Sequence, residues 1–248
     1  MNPCMLVTGA SRGIGAATAL MAASRGYTVA VNYVHDAAAA DGVCARIIAA
    51  GGLAFAVQAD VADEQQVLAM FEQLDARGSP LTALVNNAGV VGAIAPFTDY
   101  SAARLKRTFE VNIYGAFVVA REAVKRMSTA HGGRGGAIVN LSSAAARIGS
   151  PHEFIDYAAS KGAIDSMTLG LAKEFATQGI RVNAVRPGLI ETEIHASAGA
   201  PDRVARFTPM IPMRRAGQAE EVASAILWLL SDEASYITGS LLDISGGR

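Results

Sequence analysis

The chain has 248 residues, 51% of them hydrophobic and 17% charged, with a formal net charge of −1. This composition supports a large apolar core and excludes a disordered chain, and the mixing of basic with acidic residues indicates no nucleic-acid or anionic-membrane partner. No apolar run approaches the roughly 20 residues of a membrane span, and the first strand begins by residue 4 or 5, so we expect a cytoplasmic protein without a signal peptide.

Short apolar runs alternate with longer helical patterns along the whole chain. The runs are almost continuously apolar, as is typical of parallel strands buried on both faces. They span residues 5–7, 28–33, 54–58, 83–86, 137–141, 181–185 and 241–244. Helical patterns lie near residues 14–25, 37–50, 63–76, 101–128, 157–178 and 219–231. This alternation predicts an α/β fold, a doubly wound parallel sheet of seven strands with helices on both faces.

The chain carries no repeat, linker or low-complexity block, so we expect residues 1–248 to form one domain. In sheets of this kind, ligands bind beyond the carboxyl ends of the strands, where the strand order reverses. Residues 191–215 form the longest irregular stretch, and a loop of that length inside a compact domain usually has a function. We expect this loop to contribute to a substrate site.

A glycine-rich turn, TGASRGIG at residues 8–15, separates the first strand from the first helical pattern. Glycine permits positive φ and close approach of the backbone to a bulky anion, and amides at a helix N-terminus attract a pyrophosphate. The spacing G-x-x-x-G-x-G differs from the fingerprint G-x-G-x-x-G, and an ordinary strand-to-helix connection is the alternative. The position of the turn, directly after a strand and before a helix, predicts a dinucleotide site.

The end of the second strand decides which dinucleotide binds. An NAD site needs a carboxylate there for the ribose 2′-hydroxyl, but residues 31–35 carry no acid and we expect the chain to have turned away by Asp36. Arg12 is available for a 2′-phosphate, although a solvated loop cation is the alternative interpretation. The missing carboxylate favours NADP(H), with NAD(H) as the alternative.

Tyr157 and Lys161 stand four residues apart at the start of a helical pattern, which places them on one helix face. A free phenol has a pKa near 10, and a nearby ammonium together with an oxidised nicotinamide favours the phenolate. Taken alone, this pair fits a solvated helix face more simply. Ser143, however, follows the fifth strand at its carboxyl end, and Asn112 lies in the middle of a long helix, where an amide is unusual.

Together these features resemble the short-chain dehydrogenase/reductase family in its single-domain form. The motifs that carry the resemblance occur in the family's order between Met5 and Gly247: Gly9-x-x-x-Gly13-x-Gly15, Asn86-Asn87-Ala88-Gly89, Asn112, Ser143, Tyr157-x-x-x-Lys161 and Pro187-Gly188. The resemblance implies a Rossmann-type sheet of seven strands. It also implies assembly as a homotetramer or homodimer.

The resemblance further implies a catalytic tetrad of Asn112, Ser143, Tyr157 and Lys161. Tyr157 would be the general acid/base that protonates the carbonyl oxygen, and Ser143 would polarise the same oxygen by a hydrogen bond. Lys161 would hold the nicotinamide ribose and lower the pKa of Tyr157. Asn112 would carry a water in a proton relay to Lys161.

The same resemblance assigns the contacts to the cofactor. Asp60 and Val61 would meet the adenine, Asn87 and Gly89 the adenosine ribose, and residues 187–192 the carboxamide. The predicted set is Gly9, Ser11, Arg12, Gly13, Ile14, Gly15, Asn32, Tyr33, Asp60, Val61, Asn87, Ala88, Gly89, Tyr157, Lys161, Pro187, Gly188, Ile190 and Thr192. The histidines and cysteines show no metal-ligand spacing, so we expect no metal site.

One departure from the family pattern concerns the distance between Ser143 and Tyr157, where the family usually has one residue fewer. The stretch 149–156 either carries the extra residue and shapes specificity, or Ala144 occupies the aligned place and Ser143 misses the site. A strand end fixes the register of Ser143 and a loop can absorb one residue, which favours Ser143.

The leading hypothesis is an oxidoreductase that moves a hydride between a nicotinamide cofactor and a small carbonyl or alcohol. A 3-oxoacyl-carrier-protein reductase is the second hypothesis; it would favour a basic docking patch, for which Arg134 is available but Gln178 stands in place of another cation. The third is a non-catalytic dinucleotide-binding sensor or scaffold, which would need the glycine turn but not Tyr157.

Overall fold

The computed structural model describes residues 2–193, 199–200 and 202–248. All seven predicted strands are present. They are β1 (Cys4–Val7), β2 (Thr28–Tyr33), β3 (Leu53–Gln58), β4 (Leu81–Asn86), β5 (Gly136–Leu141), β6 (Ile180–Pro187) and β7 (Leu241–Ile244). They form a single sheet in the order β3-β2-β1-β4-β5-β6-β7 with every neighbouring pair parallel. The predicted α/β sheet is confirmed.

The α-helices of the described residues follow the predicted alternation with strands. They are α1 (Gly13–Ser24), α2 (Ala37–Ala49), α3 (Glu64–Ala76), α4 (Ala102–Phe109), α5 (Ala116–Met127), α6 (Ala145–Ile148), α7 (Ile155–Phe175), α8 (Arg203–Phe207) and α9 (Ala219–Leu230). The short helices α6 and α8 lie in stretches that we expected to be irregular. None of the helices in the described ranges is long and apolar enough to cross a membrane.

The long helix predicted over residues 101–128 is interrupted. A π-helical segment, Glu110–Gly115, lies between α4 and α5, and it contains Asn112. Such segments are rare and occur frequently at functional sites. The interruption therefore explains why an amide stands where the middle of a regular helix was expected.

Both faces of the sheet are buried, as the continuous apolar strands require. Along β1, Met5 and Val7 pack on the face covered by α1, α2 and α9, whereas Cys4 and Leu6 pack on the face covered by α3 and α5. All four side chains are at most 2% exposed, so each strand contributes alternate residues to two cores. The sheet is thereby fixed as a rigid platform for residues at its carboxyl edge.

The strand order reverses between β1 and β4. From β1 the chain moves outward to β2 and β3, then crosses to β4 on the other side of β1. Ligands of doubly wound sheets bind in the crevice at this point. Thr8, Asn87, Ser142 and Gly188 directly follow β1, β4, β5 and β6, so four strand ends deliver their residues to one crevice.

Candidate functional site

The glycine turn after β1 is held by side chains from the neighbouring strand ends. Asn32 Oδ1 accepts a hydrogen bond from the Gly9 N–H at 3.1 Å, and Asn87 Nδ2 donates to the carbonyls of Thr8 and Gly9 at 2.7 and 3.0 Å. The Thr8 hydroxyl accepts from the backbone N–H groups of Asn87 and Ala88, both at 2.9 Å. The path of the turn is therefore determined before any ligand binds.

The turn has room for backbone and ligand but not for side chains. Gly9 and Gly13 have φ of +61° and +56°, in the left-handed region that favours glycine. A Cβ on Gly15 would lie 2.6 Å from the Gly9 carbonyl oxygen and 2.7 Å from Asn87 Nδ2. Since α1 begins at Gly13, its first amides lie at this cradle, and the residues present fit the pyrophosphate of a dinucleotide.

A cavity of about 600 Å³ runs from this turn along the carboxyl edge of the sheet. Every predicted cofactor-contacting residue lines it except Gly15 and Asn32. Asn32 is fully buried, and its amide also donates to the carbonyls of Val57 and Ala59 at 3.3 and 3.1 Å. Asn32 thus holds the turn from the side of the sheet, and the predicted cofactor contacts of Gly15 and Asn32 stay predictions.

The end of β2 also differs from the prediction. Asp36 lines the cavity instead of turning away, but its carboxylate accepts a hydrogen bond from the Ala39 N–H at 2.9 Å and caps α2. Arg12 lies at the mouth of the cavity and forms an ion pair with Glu193 at 4.0 Å, both side chains being 67% exposed. Pairs this exposed contribute little, so Arg12 can exchange partners.

Asp60 lies farther along the cavity, after β3. Its carboxylate accepts from the Ala62 N–H at 3.0 Å and from Arg107 Nη1 at 3.0 Å. Arg107 was not predicted, although it lines the cavity as well. An ion pair thus stands where the resemblance implies the adenine.

The start of α7 is anchored by a buried ion pair. Arg104 donates from Nε and Nη2 to the two carboxylate oxygens of Asp156 at 2.8 and 2.9 Å, and the Asp156 side chain is fully shielded. Burial raises the pKa of this carboxyl, but hydrogen bonds from Arg104, the Tyr157 N–H and Thr108 outweigh burial and lower it. Asp156 therefore stays ionised and fixes the helix turn that carries Tyr157.

The two serines after β5 have different surroundings. Residues 142–144 all line the cavity. Ser142 is buried and donates to the Lys161 carbonyl at 3.1 Å, whereas the Ser143 hydroxyl acts on the Tyr157 phenol and lowers its pKa. Ala144 is buried, and its N–H donates to the Pro187 carbonyl at 3.0 Å. The effect of Ser143 on the phenol favours the register with Ser143 in the site, which stays a prediction.

The stretch 149–154 forms the turn that joins α6 to α7. Gly149, Ser150 and His152 all have positive φ there, and two of them are not glycine. Such backbone is uncommon outside glycine and costs free energy. The turn brings Ser150 and Phe154 to the cavity wall, and its role in accommodating the longer spacing stays a prediction.

Tyr157 and Lys161 meet at the base of the cavity, with the Lys161 Nζ 5.5 Å from the centre of the Tyr157 ring. Burial raises the pKa of Tyr157, while the hydrogen bond with Ser143 and the charge of Arg203 act in the opposite direction. Burial lowers the pKa of Lys161 to about 8, and its ammonium donates to the Leu141 carbonyl at 2.6 Å. Of the two groups, Lys161 is the one whose pKa lies close to neutral pH, while the Tyr157 phenol keeps its proton there.

Asn112 is buried and is not among the residues that line the cavity, and its predicted role in a water relay stays a prediction. Its Oδ1 accepts from the Val90 N–H at 2.8 Å, and its Nδ2 donates to the Val90 carbonyl at 2.9 Å and to Ser160 Oγ at 3.1 Å. A Cβ on Gly89 would lie 3.4 Å from Asn112 Oδ1 and 3.5 Å from Lys161 Nζ. Asn112 therefore anchors the Gly89–Val90 backbone beside Lys161.

Sequence reasoning did not identify the residues at the far end of the cavity. Phe154, Arg203 and Arg248 line it near Tyr157, yet no motif marks them. Of the expected substrate loop 191–215, positions 194–198 and 201 lie outside the described residues, and α8 carries Arg203. In the described ranges no cluster of His, Cys, Asp or Glu could hold a metal ion.

Comparison with known proteins agrees with this geometry. A family described as enoyl-(acyl carrier protein) reductase matches residues 9–248. The chain is 59% identical over 243 residues to the uncharacterized oxidoreductase YgfF of Escherichia coli, covering 98% of each chain. It is 37% identical over 252 residues to the 3-oxoacyl-acyl-carrier-protein reductase FabG of Staphylococcus aureus, covering 100% of this chain and 98% of that protein.

A steroid enzyme and a solved structure extend the comparison. The 3beta-hydroxysteroid dehydrogenase 1 of Eggerthella lenta is 41% identical over 244 residues, with 98% of this chain and 92% of that protein covered. The crystal structure of a short-chain type dehydrogenase/reductase from Mycobacterium marinum superposes with a TM-score of 0.92 at 35% identity, covering 99% and 94% of the two chains. The chain belongs to the short-chain dehydrogenase/reductase family of oxidoreductases.

Proposed function

We propose that this protein is an NADP(H)-dependent oxidoreductase that moves a hydride between the cofactor and a small carbonyl or alcohol, with Tyr157 as general acid/base. One observation carries the proposal. Tyr157 and Ser143 line one cavity together with the glycine turn, and the Lys161 Nζ lies 5.5 Å from the centre of the Tyr157 ring. Two hydroxyls and a cation beside a dinucleotide cradle suit the reversible reduction of a carbonyl.

The bound nicotinamide supplies or accepts the hydride. Tyr157 Oη then protonates the carbonyl oxygen, and Ser143 Oγ donates a hydrogen bond to the same oxygen. Because burial raises the pKa of Tyr157, the phenol keeps its proton at neutral pH and is ready to act as an acid. In the direction of alcohol oxidation the phenol must first lose that proton, which the nearby Lys161 charge favours.

Lys161 would hold the nicotinamide ribose through its ammonium. The cofactor-binding role extends to the predicted residues that line the cavity, from Gly9 in the turn to Thr192 on the opposite wall. Asn112 acts here as a positioning residue, since its amide is fully engaged with Val90 and Ser160. It keeps the Gly89 backbone close to Lys161.

The preference for NADP(H) rests on the charges at the mouth of the cavity. The carboxylate of Asp36 is engaged as the cap of α2, whereas Arg12 is exposed and forms a 4.0 Å ion pair with the equally exposed Glu193. An arginine of this kind can exchange Glu193 for a 2′-phosphate. NAD(H) is the alternative cofactor.

We expect the domain to be cytoplasmic and to assemble as a homotetramer or homodimer. Exposed apolar side chains on the helical stretch from α4 to α5 support assembly: Phe109, Tyr114 and Phe117 are 38, 44 and 47% exposed. A Cβ on Gly162 in α7 would meet nothing within 4 Å, which leaves room for a close helix–helix contact.

Reduction of 3-oxoacyl thioesters on a carrier protein is the second candidate function. The FabG relatives favour it, and Arg134 is exposed and available to an acidic partner. Gln178, however, carries no charge, and its Oε1 accepts a hydrogen bond from the Ser128 hydroxyl. A sensor without turnover is disfavoured because it would have no use for the Ser143–Tyr157–Lys161 arrangement.

The test is to follow nicotinamide absorbance with NADPH and NADH across ketones, sugars and acyl thioesters. We expect NADPH to bind more tightly than NADH, and Tyr157→Phe to keep cofactor binding while losing about hundredfold or more of the turnover. Tyr236→Phe, at a fully exposed tyrosine, is the matched control and should behave as the parent. A Tyr157→Phe enzyme with the parent rate would refute the mechanism.

A further inference from the structure

Three arginines surround one aromatic ring at the end of the cavity. The guanidinium carbons of Arg203, Arg206 and Arg248 lie 5.1, 4.9 and 5.1 Å from the centre of the Phe207 ring. We call these four residues the Phe207 cluster. Arginine stacks readily on aromatic faces, but three cations around one ring repel each other, so the cluster needs negative charge nearby.

The described residues supply little negative charge to this cluster. Glu153 accepts hydrogen bonds from Arg203 Nη2 at 2.7 Å and from Arg206 Nη2 at 3.3 Å. No ion pair of Arg248 is found in the described ranges. Burial lowers the pKa of Arg248, and the positive charge of Arg203 lowers it further, against the attraction of Glu153. The cluster therefore holds an excess of positive charge in a partly desolvated place.

One donor in the cluster lacks a partner. Arg203 Nε is buried and forms no hydrogen bond with any part of the chain that the structure describes, and the Arg203 side chain is only 12% exposed. A buried polar group without a partner destabilises the protein, and such groups call for an explanation. Its guanidinium has hydrogen-bonding capacity beyond the bond to Glu153.

Only part of the Phe207 cluster lines the cavity. Arg203 and Arg248 line the cavity that also contains Ser143 and Tyr157, whereas Arg206 does not. The Arg203 guanidinium lies 5.3 Å from the Phe154 ring, three residues before Tyr157. Its positive charge also reaches the Tyr157 phenol, where it favours ionisation. Two of the three cations thus face the space beside the reacting hydroxyls.

We propose that the substrate is a carboxylate-bearing carbonyl compound, an oxo acid or the corresponding hydroxy acid, whose carboxylate is held by Arg203 and Arg248. This inference rests on the proposed function and names its substrate class. The planar fork of a guanidinium matches a carboxylate, and a charged group in the ligand would offset the excess cations. A neutral ketone or ester would leave the excess positive charge of Arg203, Arg206 and Arg248 balanced only by Glu153.

The experiment compares matched carbonyl compounds with and without the charge. Pyruvate, acetoacetate and levulinate place the carboxylate one, two and three bonds from the carbonyl carbon, and their methyl esters have the same carbonyl without a charge. With NADPH, we expect kcat/KM for at least one acid to exceed that of its ester by about tenfold to hundredfold, the worth of a charge-assisted hydrogen bond.

Two variants test whether the preference for the acid over its ester comes from an arginine that lines the cavity. Arg203→Met should remove the preference for the acid, and Arg206→Met, at a cation that shares Glu153 and Phe207 but does not line the cavity, should keep it. If Arg203→Met does not fold, Arg203→Lys replaces it and should keep part of the preference, since the charge stays and the fork is lost.

A binding measurement separates this inference from the proposed function. Levulinate and methyl levulinate are titrated calorimetrically into Tyr157→Phe protein with NADPH present, so that no turnover is needed. Tighter binding of levulinate that disappears with Arg203→Met supports the inference even if no carbonyl is reduced, a result that would refute only the proposed function. Equal binding and equal kcat/KM for acids and esters would overturn the inference and leave the function intact.

Discussion

The two ends of the cavity are built differently. At the cofactor end, around the glycine turn, the polar side chains of Asn32 and Asn87 bond to backbone groups of the protein itself. At the substrate end, around Phe154 and Phe207, the polar groups are cations, one with an unpaired buried donor. The first end is complete without a ligand, whereas the second holds charge that a ligand must balance. This difference separates the proposed cofactor site from the proposed substrate site.

We expect the largest effect at the cofactor end from a substitution of Gly15. In Gly15→Ala the added Cβ would lie 2.6 Å from the Gly9 carbonyl oxygen and 2.9 Å from Ala10 Cα, and displacing backbone atoms of the turn is costly. We expect the turn to shift and NADPH affinity to fall about hundredfold, near the upper range for overpacking. Fluorescence titration with NADPH measures this loss.

Gly42→Ala in α2 is the matched control. A Cβ there would meet nothing within 4 Å, and alanine is favoured over glycine by about 0.5–1 kcal/mol inside a helix. This variant should unfold at slightly higher urea concentration and bind NADPH as the parent does. Unchanged NADPH affinity in Gly15→Ala would show that the glycine turn can accommodate a side chain at this position. It would contradict our view that the backbone of the cofactor end is fixed before the ligand binds.

Asp156 fixes the helix turn that carries Tyr157, which lies between the two ends of the cavity. We therefore expect Asp156→Asn to have the second largest effect, on the free energy of unfolding. The variant leaves the Arg104 guanidinium without its carboxylate, and removing one partner of a buried pair is strongly destabilising. We expect a loss of about 2–3 kcal/mol in the free energy of unfolding near pH 7, measured by urea titration. Asp99→Asn is the control, because this aspartate lies just before α4 and is exposed. It should change the free energy of unfolding by less than about 0.5 kcal/mol.

The same loss should depend on pH. The pKa of Asp156 in the folded protein lies below its ordinary value of 3.8, so its stabilising contribution is complete above that value and disappears as pH falls through the folded pKa. The difference between parent and Asp156→Asn should therefore be constant from neutral pH down to about pH 5 and shrink below about pH 4. A difference that grows on acidification would contradict the role of the ion pair.

Sequence reasoning succeeded where the signal is local. The seven strands were predictable because buried parallel strands are continuously apolar, and the pair Tyr157–Lys161 because a helical spacing puts both on one face. The glycine turn was predictable because its backbone excludes side chains. In each instance a few neighbouring residues contain the physical requirement.

The remainder depends on contacts between distant parts of the chain. The hydrogen-bond partners of Asn32 come from the turn after β1 and from the end of β3 and the residue that follows it. The π-helical segment at Glu110–Gly115 has no apolar period of its own. Arg203 and Arg248 meet at Phe207 only because α8 folds back on the residues after β7. No pattern along the chain contains these relations.

The smallest effect that we expect is a change in levulinate affinity when Glu153, at the substrate end, loses its charge. Glu153 is the carboxylate that offsets Arg203 and Arg206, and its carbonyl, which accepts from the Tyr100 hydroxyl at 3.0 Å, is unaffected by Glu153→Gln. Removing that one charge makes the cluster more positive. We expect the affinity for levulinate to rise about threefold, within the range of a partly exposed ion pair.

This rise distinguishes electrostatic compensation from a merely structural role of Glu153. If Glu153 served only to position α8, losing its charge would weaken levulinate binding or leave it unchanged, and either result in calorimetric titration would contradict the proposed division of the cavity. Glu233→Gln, at an exposed glutamate remote from the cluster, is the control for the loss of one negative charge. Because both variants change the net charge equally, only a local effect can separate them.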